Sequence, residues 1–320
     1  MQPTLRRLYL AAATVLASGL SAGHTAAQEF PARPISVIVP YSAGGQTDVA
    51  ARVMSDALAQ QLGQTVSVVN KPGGGGVVGT AELATAKPDG YTLGLATSTP
   101  MVQKPNISDT PYTINDFDFI CRVNHNPLMF AVKKGSDIKT VEDLIDAAKT
   151  GQRILYGSSG EASVQHIAMT NLGNQAGVEL VHVPNTSDTE NLRNILAGVL
   201  TGTLLPASVI VANSDTIQPI GLMDTQRLQS FPEVETFKEA GYDVSAAVWG
   251  ILAAPKGLES TVLDKLRQAC RDAQAQDSFK QEIVKLGMEP AYLDGDEIGE
   301  LVTQENEASL AVLKQLGFAR

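Results

Sequence analysis

The sequence predicts an α/β protein built from two α/β units that are joined by two long extended stretches. Three observations predict it. Short β-branched runs alternate with helically spaced stretches over residues 35–99 and again over residues 140–223. Two extended runs, "DFICRVNHNPLMFAVKK" (118–134) and "YDVSAAVWGILAAPKG" (242–257), stand where one unit gives way to the next. The last third, from about Thr261, reads as mostly helical.

The elements follow in order. "MQPTLRRLYLAAATVLASGLSAGHTAAQEF" has basic Arg6 and Arg7, an apolar stretch from Leu8 to about Leu20, and small residues at Thr25-Ala26-Ala27. That is the form of a signal peptide over residues 1–27, cleaved before Gln28. The apolar stretch is shorter than the ~20 residues of a membrane span, so a soluble periplasmic protein is expected. "ISVIVP" (35–40) is the first strand, and "DVAARVMSDALAQQL" (48–62) is a helix with Val49, Val53, Leu58 and Leu62 on one face. "TVSVVN", a glycine loop, a helix to about Ala86, the turn "KPDG" and the strand "YTLGLAT" complete a βαβαβ series, which implies a parallel sheet.

The middle repeats the plan. Thr140 and Asp143 resemble a capping box at the head of "TVEDLIDAAK". "RILYGSS" runs as a strand into a loop, and "SVQHIAMTNLGNQA" is its helix. "VELVHVP", "TENLRNILAGVL", "GTLLPAS" and "IQPIGLM" add further strands and a helix. The helices "TVLDKLRQACRDAQA", "SFKQEIVKLG" and "DEIGELVTQENEASLAVLKQLG" close the chain. The two extended runs read as crossovers between lobes. One lobe takes residues 28–126 and 249–320, and the other takes 127–248. The alternative is that each run only joins two elements of one large sheet.

Composition narrows the function. Residues 1–27 hold two arginines and no acid, so the formal charge moves from −10 to −12 on their removal. That balance excludes a nucleic-acid or anionic-membrane surface. Cys121 and Cys270 are the two cysteines, and a bridge and two buried thiols both fit them.

Several motifs are decoys. Gly74 to Gly79 spell G-x-G-x-x-G between a strand and a helix. However, "LATSTPMV" offers no acid for a ribose hydroxyl, and Thr80 follows Gly79 with no P-loop lysine. The glycines therefore serve close packing, and no cofactor is expected. In "YGSSGEAS", Glu161 stands where the last glycine of a hydrolase elbow belongs. His125, His166 and His182 lack metal-ligand spacing, and no base is evident for Ser158 or Ser159. An enzyme is not expected; a hydrolase using one of these serines is the alternative.

Two loops carry the positive signal. "VPYSAGGQTD" and "YGSSGEAS" each join a strand to a helix and combine glycines with small hydroxyl residues. Such helix N-termini present unpaired N–H groups and a positive dipole end to a carboxylate. Ordinary turns, with Asp48 and Ser163 capping their helices, fit the same residues.

The stretch "FPARPISVIVPYSAGGQTDVAARVMSDALAQQLGQTVSVVNKPGGGGVVGTAELATAKPDGYTL" resembles the Bug family, the periplasmic solute receptors of tripartite tricarboxylate transporters. "YGSSGEASVQHIA", "VELVHVP", "FPEVETFKEAGYDV", "WGILAAPKG" and "LGMEP" follow in family order, so the resemblance covers the mature chain. It implies the type II periplasmic-binding-protein fold, two α/β lobes closing on a ligand at a two-crossover hinge. It also implies a monomer that binds a small organic carboxylate and meets the transporter's membrane components. A receptor feeding a sensor kinase would need the same cleft.

Carried over residue by residue, Ser42, Ala43, Gly44, Gly45, Gln46 and Thr47 form one clamp. Asp48 caps its helix or meets a ligand amine. Ser158, Ser159, Gly160, Ala162 and Ser163 form the second clamp, and Thr97, Ser98 and Thr99 edge the cleft. The family pattern V-P-Y-K-G is replaced by Val183-Pro184-Asn185-Thr186-Ser187, so a lysine and an aromatic ring are missing. Glu161 and Val164 depart too. These changes favour a ligand with an amide, an amine or an apolar body over a compact dicarboxylate or citrate.

Overall fold

The computed structural model describes residues 29–185 and 187–319. The expected signal peptide, residues 1–27, lies outside the described residues. The chain runs β1 (Ile35–Val39), α1 (Gln46–Leu62), β2 (Val66–Asn70), α2 (Val77–Ala84), β3 (Thr92–Thr97), α3 (Lys104–Ile107) and β4 (Phe117–Lys133). It continues through α4 (Val141–Lys149), β5 (Ile154–Ser158), α5 (Val164–Ala176), β6 (Leu180–Pro184), α6 (Asp188–Leu196), β7 (Gly202–Pro206), α7 (Ala207–Ala212) and β8 (Ile217–Leu222). It ends with β9 (Ala247–Pro255), α8 (Ser260–Ala275), α9 (Asp277–Lys285) and α10 (Gly295–Gln315).

The strands hydrogen-bond in the order β2-β1-β3-β9-β4-β7-β5-β6, with β8 also on β4. Pairings β1–β2, β1–β3, β5–β6 and β5–β7 are parallel, as strand–helix alternation requires. β9 runs antiparallel to β3 and β4. The 17-residue β4 is the element that serves both halves. It pairs with β9 from Phe117 to Pro127, then with β7 and β8 from Leu128 onward. The second extended run is strand only over Ala247–Pro255, so it is shorter than the sequence suggested.

Each half buries both faces of its sheet, because a parallel sheet is apolar on both sides. In the first half, Val37, Met54, Leu58, Leu95, Leu252 and Leu266 pack under α1 and α8. On the opposite face, Met101, Trp249, Ile251, Ile298 and Val302 pack under α10. In the second half, Phe130, Leu144, Tyr156 and Met169 form one core, and Met129, Ile195, Leu205 and Ile210 form the other. Cys121 and Cys270 are disulfide-bonded, Cα to Cα 6.5 Å, which ties β4 to α8 and settles the choice left open by the sequence.

The Thr140–Asp143 capping box forms at the head of α4. The glycine turn is a packing device. Gly76, at φ +98°, caps α2 in a left-handed conformation that a side chain would disfavour. A Cβ at Gly79 would sit 2.8 Å from Pro40 Cα and Lys71 O, so α2 can approach β1 only with glycine there. α10 starts beside Phe119 of β4 and ends against α5, where Val312 and Leu313 meet Ala162 and Ile167. Paired side-chain bonds join Asn174 to Gln315 at 2.7 and 3.0 Å.

Candidate ligand-binding site

The loop from β1 to α1 exposes Ser42, Ala43, Gly44, Gly45 and Gln46, half-buries Thr47 and buries Asp48. Asp48 shapes this loop from within. Its Oδ2 accepts from Gly44 N at 2.9 Å and Arg52 Nε at 3.0 Å. Its Oδ1 accepts from Arg52 Nη2 at 3.0 Å and Asn70 Nδ2 at 2.9 Å. The Arg52 guanidinium, above all, holds the carboxyl down at about 2. With these four bonds made, both oxygens are committed to the loop, and an added amine would compete with Arg52. Asp48 does not occupy the N-cap. That position is Gly45, which supplies no side-chain acceptor, so the first N–H groups of α1 have no side-chain cap.

Beneath the start of α1 lies a cavity of about 20 Å³, enough for one water-sized group. Gln46, Thr47, Thr97, Asn124, Asn126, Val248, Trp249, Gly250 and Met288 line it. Thr97, Gly250 and Asn124 stand side by side on β3, β9 and β4. Glycine in the middle of this row leaves a trough, and a Cβ there would lie 2.4 Å from Asn124 Oδ1. Asn124 and Asn126 are 7% and 3% exposed. Among the described residues, neither carboxamide has a hydrogen-bond partner. Thr97 is held by Tyr41 OH at 2.9 Å. Ser98 is fully buried with its Oγ unpartnered, and Thr99 is half-buried in the following turn.

The asparagine pair was missed from the sequence. The available signal was two amides two residues apart, "VNHN", inside an otherwise apolar strand. Such spacing puts both on one face of the strand.

The second predicted loop does not line this cavity. Its polar groups bond to one another. Gly160 N donates to Ser158 Oγ at 3.1 Å, and Ala162 N donates to His166 Nδ1 at 3.2 Å. Ser163 caps α5 by accepting from His166 N, and Ser159 Oγ donates to Gln165 Oε1. Ala162, at φ +56°, packs into the cluster formed with the end of α10.

One expectation is corrected here: Ser158 does have a histidine beside it. His182 Nε2 lies 2.6 Å from Ser158 Oγ, brought there by the parallel pairing of β5 with β6. Ser158 has no exposed surface, so no substrate carbonyl reaches it. His166 stacks on His182 at 3.7 Å between ring centroids. Burial, then the neighbouring ring, pushes His182 down to about 4.

A larger groove, about 660 Å³, runs between the start of β4 and α10 past Phe119, Arg267 and Glu300. It contains none of the predicted residues. Among the described residues, no cluster of three His, Cys, Asp or Glu side chains is placed to hold a metal, and no helix is long and apolar enough to cross a membrane.

This fold agrees with known proteins. The model of the tripartite tricarboxylate transporter family receptor, TctC, matches residues 50–318. The chain belongs to this family. As a TctC-family receptor, it is 30% identical over 321 residues to the UPF0065 protein in the gbd 5′ region of Cupriavidus necator, covering 99% of this chain and 98% of that one. It is 26% identical over 320 residues to BugT of Bordetella pertussis, covering 98% of both. Among solved structures, a TctC solute-binding protein from Polaromonas, without ligand, superposes with a TM-score of 0.83 at 31% identity, over 89% of this chain and 99% of that one. The periplasmic binding protein BugD superposes with a TM-score of 0.70 at 25% identity, over 91% and 99%. The α/β periplasmic-binding-protein fold expected from the sequence is the fold observed.

Proposed function

We propose that this receptor captures a small organic carboxylate in the periplasm and passes it, chemically unchanged, to the membrane components of a tripartite tricarboxylate-type transporter. The carrying observation is the uncapped start of α1 standing over a cavity with two buried, unpartnered carboxamides. A carboxylate there gains N–H bonds and a favourable dipole, worth about 0.3–2 kcal/mol for the dipole alone. Membership of a receptor family supports binding over catalysis.

In this reading, residues 28–126 and 249–320 form one lobe of a monomer and residues 127–248 the other. The loop Ser42–Asp48 with Thr97, Ser98 and Thr99 is one jaw, and Ser158, Ser159, Gly160, Ala162 and Ser163 are the other. The basic and apolar features of residues 1–27 support export by a signal peptide.

The test is a thermal-shift screen of mature protein against organic acids, followed by calorimetry. A true ligand at 100 times its Kd adds about 2.7 kcal/mol of stability. If no organic acid raises the Tm, the receptor reading is wrong.

A further inference from the structure

We infer that Asn124 and Asn126 are the ligand-reading residues of the cavity, and that they grip one unbranched carboxylate end of the ligand without any cationic side chain. This rests on the receptor reading above and goes beyond it by naming the residues and the chemistry that they select.

Two carboxamides with no side-chain partner stand on one face of β4, 93% and 97% buried, and both border the same cavity. Their polar atoms are not among the fully buried, unsatisfied ones, so it is water in the cavity that they meet. A ligand group that accepts from their Nδ2 atoms takes the place of that water. Two other polar atoms nearby already have partners: Thr97 Oγ1 bonds Tyr41, and Gln46 Nε2 donates to Leu286 O at 3.5 Å.

Charge decides what that group is. No lysine, arginine or histidine is among the lining residues, and none of them is acidic either. The start of α1, at Gln46 and Thr47, contributes the one fixed field, with its positive end toward the cavity. An ammonium is disfavoured by that field and finds no carboxylate partner. A carboxylate is favoured by it and meets neutral donors.

Size decides the rest. The space of about 20 Å³ is water-sized, so it takes the tip of a carboxylate and not a branched carbon, and Trp249 and Met288, 1% and 4% exposed, form firm walls. A carboxylate carried on a CH₂ group enters; one carried on a fully substituted carbon, as in pivalate, does not. Gly250 is the third selecting position, because its missing side chain leaves room for the Asn124 amide.

The experiment measures calorimetric affinity for linear C3–C8 mono- and dicarboxylates and for pivalate, using the mature protein and four variants. Wild type is expected to bind a linear acid at least tenfold more tightly than pivalate. Asn126→Ala and Asn124→Ala should each weaken that acid about tenfold, the loss of a hydrogen bond to a charged group. Asn126→Asp should weaken it about 100-fold or more, since a second anion enters a site with no cation. Gly250→Ala adds only a methyl group yet displaces the Asn124 amide, and should weaken binding about tenfold with the fold intact. It decides the matter if the aspartate variant fails to fold. Wild-type binding of a linear acid, with Asn126→Asp and Gly250→Ala both within threefold of wild type, overturns this inference and leaves the receptor reading standing. Preference for pivalate overturns the selection of unbranched ends. Binding of no acid at all overturns the receptor reading, and this inference with it.

Discussion

Trp249 Nε1 donates to Glu305 Oε2 at 2.6 Å, a bond that fastens β9 to the middle of α10 directly behind the cavity. Glu305 also bonds Gln103, and burial pushes its carboxyl up to about 7 from an ordinary 4.5.

The sign of its pH effect follows. The folded state holds this proton up to about pH 7, whereas the unfolded chain releases it near 4.5. Its burial is therefore tolerated below pH 4.5, and stability falls as pH rises through the window from 4.5 to 7. Glu305→Gln keeps an acceptor for Trp249 and removes the charge. It should match wild type at about pH 4 and exceed it by about 3 kcal/mol at about pH 8, read by urea denaturation. Equal stability at both pH values would show that Glu305 ionises freely.

His182 acts in the opposite direction. Its folded value near 4 lies below the ordinary 6.5, so its contribution is complete above 6.5 and is lost as pH falls toward 4. Discounted for its partial exposure, the loss is about 1–2 kcal/mol. His182→Asn should flatten the acid limb of a plot of Tm against pH. An unchanged limb would place acid sensitivity elsewhere.

Asp48 should matter to the binding loop more than to the fold. Asp48→Ala removes the acceptor of Gly44 N and frees Arg52 and Asn70. With Arg52 half-exposed and screened, the stability loss is about 1 kcal/mol. Ligand affinity should fall further than stability, because the N–H groups at the head of α1 lose their fixed direction. Calorimetry and thermal melts on the same variant compare the two.

The disulfide closes 149 residues of sequence between β4 and α8. Cys121→Ser with Cys270→Ser should cost about 2–4 kcal/mol, and should make the Tm indifferent to reductant. A wild-type Tm that does not respond to a strong reductant under unfolding conditions would contradict this.

What was legible in the sequence was local. The Thr140–Asp143 box and the close-packing use of Gly79 follow from spacing within a few residues, whereas the buried face of α1 is Ala50, Ala51, Met54, Ala57 and Leu58, with Val53 and Leu62 at its edge and Val49 off it. The loop at Ser42–Asp48 was legible because strand, glycines and helix are contiguous. The partner of Ser158 was hidden, since only the register of β5 on β6 puts His182, 24 positions away, beside it. Asn124 and Asn126 were hidden for a related reason. β4 changes register near Arg122 and Asn124, so no count along the chain says which face its amides take.

Proline at 127 has a mechanical meaning. It sits where β4 trades β9 for β7 and β8, and it has no N–H to give to either neighbour. On both sides of it the ribbon is held by backbone bonds. If the lobes proposed above swing about this changeover of partners, Asn126 is the residue next to it. The pivot and the grip would then be neighbours on one strand, and the angle between the lobes would set how the amides meet the ligand.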